Sequence, residues 1–115
     1  MNLLRPALLL SLAAAVPLFA QAAPPASSAS SADSRVRGAK VFTESGCPQC
    51  HAIRQHGGTK GPDLSGVGRR LSETQIRTQL HDGGKQMPSF AEILEQAETD
   101  DLVAYLRSCR DKKAK

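Results

Sequence analysis

The sequence predicts a small all-α domain with long loops. Three segments carry apolar residues at helical spacing beside capping or stop residues. No window alternates apolar and polar side chains as a half-buried strand would, and the intervening stretches are rich in Gly and Pro. The first helix is expected from a Ser34 cap through Ser45, with Val36, Ala39, Val41 and Phe42 as its apolar face and Gly46 as its stop. Residues 55–70 hold five glycines and Pro62, which predicts loop. Ser72 and Gln75 form an S-x-x-Q capping box for a short second helix, with Leu71, Ile76 and Leu80 on its apolar side and Gly83-Gly84 at its end. Lys85 to Phe90 is a further loop. A last helix is expected from about Glu95 to Cys109, where Leu102, Leu106 and Cys109 fall at i, i+4 and i+7.

Residues 1–22 read as a signal peptide. Arg5 precedes an apolar run from Ala7 to Ala20, and Ala20-Gln21-Ala22 is a small-x-small cleavage pattern. The run is shorter than the roughly 20 apolar residues of a spanning helix. An exported, periplasmic protein with no membrane span after cleavage is expected; an uncleaved leader would tether it to the membrane. Residues 23–33 are Ala, Pro and Ser with one Asp, a composition expected to form a flexible linker. The folded domain is then 34–110, followed by a basic tail at 111–115.

That domain is below the roughly 80 residues at which aliphatic burial alone usually suffices. Its aromatic side chains are only Phe42, Phe90 and Tyr105. A bulky apolar cofactor would fill such a core. The net charge of +4 with so few aromatics argues against a nucleic-acid partner.

Cys47-Pro48-Gln49-Cys50-His51 is a C-x-x-C-H. Two thiols three positions apart on one turn can each add to a vinyl group of one porphyrin, and the next residue, His51, then faces the iron. Cys47 and Cys50 are thus candidate covalent haem attachments, with His51 an axial ligand. The same residues also resemble the C-P-x-C of thiol–disulfide oxidoreductases, which sits at a strand-to-helix junction, and here no strand is expected. A zinc site would need Cys109 to complete an irregular set. The composition contains two methionines, and Met1 leaves with the leader, so Met87 is the single thioether of the mature chain. Met87 is therefore the candidate second axial ligand. His81 and His56 compete with it, and a packing role for Met87 beside the haem is the alternative.

These residues resemble the small class I cytochromes c of the bacterial single-domain kind, over about Gly38 to Leu106. Gly38 and Phe42 are similar to the small–aromatic pair of that family's first helix, and Tyr105 and Leu106 to its partner on the last. Gly61-Pro62-Asp63-Leu64 is similar to the segment whose proline carbonyl accepts the Nδ1 hydrogen of the proximal histidine. The resemblance implies that role for Pro62, a propionate contact for Arg69 and Arg70, and a distal ligand loop at Met87-Pro88. It implies helices wrapped around one covalently bound haem c. Glu95 stands where the family often has a Ser cap, and Cys109 has no counterpart.

With both axial positions filled, no site is open to a substrate, so an electron carrier rather than an enzyme is expected. Its partners would be redox proteins: a donor dehydrogenase or cytochrome complex, and an acceptor oxidase or complex. The carrier itself is expected to be a monomer.

Overall fold

The computed structural model describes residues 29–112. The expected signal peptide and most of the expected linker lie outside the described residues. Four helices and one small hairpin follow in order: α1 (Ala29–Glu44), β1 (Ala52–Ile53), β2 (His56–Gly57), α2 (Val67–Arg70), α3 (Glu73–Asp82) and α4 (Gln96–Ser108). The domain is mostly helical, compatible with a cytochrome c-like fold. No helix among the described residues is long and apolar enough to cross a membrane.

The α1–α4 crossing organises the molecule. Gly38 makes it possible, because a Cβ there would lie 2.0 Å from the Asp101 carbonyl oxygen and 2.7 Å from Tyr105 Cβ. Phe42 is one turn further along and tilts against Tyr105, with ring centroids 5.8 Å apart. At the edge of the crossing, Arg37 donates through Nε and Nη2 to the Asp101 carboxylate at 2.6 and 2.9 Å. That hydrogen bond holds the Asp101 carboxyl below its ordinary range. Behind the crossing, Val67, Ile76, Leu80, Leu102, Val103, Leu106 and Cys109 join Phe42 in one buried cluster.

Two expectations for α1 are corrected. The helix begins at Ala29, so Ser34 is an interior residue whose hydroxyl accepts from Arg37 at 3.1 Å, and residues 29–33 are helical rather than linker. Once α4 pins the helix at Gly38, extending it backward gains a hydrogen bond for each residue fixed, and Ala- and Ser-rich sequence permits this. Val36 is 72% exposed, not on the apolar face. It lies two residues from Gly38, about 200° around the helix, whereas Val41 and Phe42 follow Gly38 by three and four.

The S-x-x-Q box holds as expected. Gln75 N–H donates to Ser72 Oγ at 3.2 Å, and Ser72 N–H to Gln75 Oε1 at 2.8 Å. Gly83, at φ +70°, ends α3. Glu95 is the N-cap of α4, its N–H donating to the Glu98 carboxylate at 2.9 Å. The hairpin is the element not foreseen, pairing Ala52 with Gly57 and Ile53 with His56. Its two turn residues, Arg54 and Gln55, both have positive φ (51° and 68°). Such a turn favours Asn and Gly, so the sequence carried no signal for it. The expected tail also shortens by a residue: Asp111 N–H donates to Ser65 O at 2.9 Å, so Asp111 belongs to the fold.

Gly38→Ala would force the two helices apart or bend one of them. A loss of about 2–3 kcal/mol is expected, the scale of overpacking a closed contact. Denaturant unfolding of the purified holoprotein measures it, and unchanged stability would contradict the close approach.

Candidate haem site

Gly46, at φ +76°, turns the chain out of α1 into a single 3₁₀ turn over Cys47–Gln49. Pro48 suits this position, since its fixed φ matches the first turn of a helix and its missing N–H would have no partner there. The turn closes through Cys50 N–H and His51 N–H, which both reach Cys47 O, at 3.2 and 3.0 Å. Cys47, Cys50 and His51 are therefore held together on one turn, each half-buried. Both thiols are free. Burial pushes the Cys47 thiol above its ordinary value. The motif follows the helix α1 and precedes the hairpin, whereas the C-P-x-C of thiol–disulfide oxidoreductases sits where a strand leads into a helix.

His51 Nδ1 lies 2.8 Å from the Pro62 carbonyl oxygen. A carbonyl can only accept, so the proton sits on Nδ1 and the Nε2 lone pair is left for a metal. Gly61 completes this seat. A Cβ there would come within 2.6 Å of His51 Cε1 and 2.8 Å of Nδ1, so only a glycine lets the backbone pass across the ring. Gly61 N–H donates to Cys50 O at 2.7 Å and Leu64 N–H to Ala52 O at 2.8 Å, which fastens the segment on both sides of Pro62.

Met87 lies in the loop between α3 and α4, half-buried and packed against the central cluster. Its carbonyl accepts from Gly84 N–H at 2.8 Å within the loop, and Phe90 N–H reaches Leu80 O at 2.8 Å, which ties the loop beyond Met87 back to α3. Gln79 Nε2 donates to Gly83 O at 2.8 Å and approaches Met87 Sδ at 3.7 Å. The rival histidines are both exposed. His81 has Nδ1 2.7 Å from its neighbour Asp82, and His56 lies on β2. Arg69 and Arg70 are exposed on α2, and Arg70 Nη2 donates to Asp63 O at 2.8 Å. Among the described residues no three His, Cys, Asp or Glu side chains converge as a zinc site would require.

The chain matches the family described as cytochrome C oxidase, cbb3-type, subunit III over residues 34–106, more than half its length. It belongs to that family. No curated protein and no solved structure matches it. Membership makes the chain a small c-type cytochrome, whose domain implies haem c binding, electron transfer with redox partners, and a carrier or subunit role rather than that of a classical enzyme.

The residues present fit haem c: two free thiols on one turn, a histidine with Nε2 left open, and a glycine where a Cβ would displace the ring. The sequence placed Gly61 in the Gly61-Pro62-Asp63-Leu64 run without a role of its own, and did not single out Gln79. Gly61 had a signal in its place before Pro62, whereas nothing in the sequence marks Gln79 as a neighbour of Met87.

Gly61→Ala should leave haem attached, since the thioether positions are untouched, but tilt the imidazole. The ferric spectrum is expected to gain a high-spin component. A spectrum identical to the parent protein's would show that the Gly61 contact does not set the ring.

Proposed function

We propose that this chain is an exported single-haem electron carrier in which Cys47 and Cys50 attach the porphyrin and His51 and Met87 are the axial ligands. The observation that carries the reading is the His51–Pro62 hydrogen bond beside two free, half-buried thiols on the same turn. Haem c bound there supplies an Fe(III)/Fe(II) couple.

Each residue has a defined task in this reading. The Cys47 and Cys50 sulfurs fix the ring to the end of α1, and His51 presents Nε2 while Pro62 holds its orientation and tautomer. Met87 offers a soft thioether from a loop tied back to α3, a pairing with histidine that favours the reduced iron and raises the potential. Buried Phe42, Leu80, Leu102 and Leu106 exclude water from the centre. Arg69 and Arg70, on the same short helix, are the proposed propionate partners. One haem is proposed because C-x-x-C-H occurs once, and Cys109 is buried and followed by Arg110 rather than a histidine.

The leader-like residues 1–22 support a periplasmic location. The partners proposed are redox proteins, a dehydrogenase or cytochrome complex as donor and an oxidase or other complex as acceptor. The family's description as an oxidase subunit favours an oxidase as acceptor.

The ligand assignment is tested by Met87→Ala. Covalent haem is expected to persist, while the weak sulfur-to-iron band at the red end of the ferric spectrum disappears. The potential should fall, and the iron should become open to carbon monoxide. If His81→Ala produces these changes and Met87→Ala does not, the assignment of Met87 is wrong.

A further inference from the structure

We infer that Arg54 and Asp111 are positioning residues for the axial histidine: their ion pair ties the chain's C-terminal segment to the turn after His51 and keeps the Pro62 carbonyl on the imidazole. The inference rests on the reading of His51 as an iron ligand.

Pro62 is exposed and has no N–H, so its carbonyl stays where the neighbouring backbone puts it. Downstream, Ser65 gathers three tethers. Its N–H donates to the Asp63 carboxylate at 2.9 Å, its carbonyl accepts from Asp111 N–H at 2.9 Å, and its hydroxyl accepts from Arg54 N–H at 2.7 Å. Arg54 then closes the ring through Nε and Nη2, which donate to the Asp111 carboxylate at 2.7 and 3.1 Å. The Arg54 hydrogen bond holds the Asp111 carboxyl below its ordinary range, so the pair stays ionised at neutral pH. Gly66 packs so tightly on Asp111 that a Cβ there would lie 2.6 Å from the Asp111 carbonyl oxygen.

Arg54 and Gln55 adopt left-handed backbone angles, which residues with a Cβ leave readily unless held. Arg54 is three residues from His51, and Asp111 reaches this turn from far along the chain. The bidentate fork is the contact that joins them directly. With side chains 69% and 38% exposed, the pair adds little to overall stability. Its effect is local, on how long the His51–Pro62 bond stays closed. That bond sets the electron density the imidazole passes to the iron, and through it the potential.

The test is the solvent exchange of the His51 Nδ1 proton, followed by NMR on the oxidised, haem-loaded protein, where an axial imidazole gives paramagnetically shifted signals. Asp111→Asn and Arg54→Gln are each expected to speed exchange by about fivefold, a shift within reach of one exposed bidentate pair. The double variant should exchange no faster than either single one, because both remove the same contact. Arg54→Lys, which keeps the charge without the fork, should fall between and carries the test if Asp111→Asn does not fold. Arg37→Gln breaks the comparable pair on α1 and α4, and should leave the rate unchanged. Parent-like exchange in the Arg54 and Asp111 variants, or equal acceleration by Arg37→Gln, would overturn the inference. Absence of any shifted, exchangeable imidazole proton in the parent protein would instead remove the ligand reading, and this inference with it.

Discussion

Gly38 brings two helices to backbone contact, and the rest of the domain is arranged around that contact. A side chain of any size would prop α1 away from Asp101 and Tyr105. Closed, the crossing seats Phe42 on Tyr105 and brings it into the buried cluster with Val67 of α2 and the apolar side chains of α3 and α4. Gly46 then turns the chain so that Cys47, Cys50 and His51 follow the helix without an intervening loop. The C-x-x-C-H turn thus lies a few residues beyond the close contact between α1 and α4, a placement that suits the proposed carrier role.

The second support of the site is made of backbone rather than side chains. His51 is oriented by a proline carbonyl and passed by a glycine, and the segment bearing both is stitched to the attachment turn through Cys50 O and Ala52 O. Backbone groups suit this role because they have few ways to rearrange. On the opposite loop, Met87 is held in the same manner, through its own carbonyl and the hydrogen bonds that bind the loop to α3. Both candidate ligands thus come from segments whose backbone is fixed before any side-chain torsion is considered.

What the sequence made legible follows from how local each signal is. The capping box at Ser72 and Gln75, the stop at Gly83 and the stripe on α4 are written within a few residues, and each appears where expected. The C-x-x-C-H spacing is equally local. The start of α1 was not legible, because a helix pinned at Gly38 can propagate into Ala- and Ser-rich sequence that has no cap of its own. The hairpin at Arg54–Gln55 was missed for the opposite reason: its turn lacks the residues that usually permit it and is held by Asp111, far away in sequence. The Gln79 approach to Met87 likewise spans two elements and leaves no trace in composition or spacing.

Covalent attachment of one haem to Cys47 and Cys50 is read most directly from the intact mass of the purified protein. A chain heavier than its polypeptide by one haem, and red in colour after acid–acetone extraction, is expected, with both features lost in the Cys47→Ser, Cys50→Ser double variant. A colourless parent protein at the mass of its polypeptide alone would contradict it.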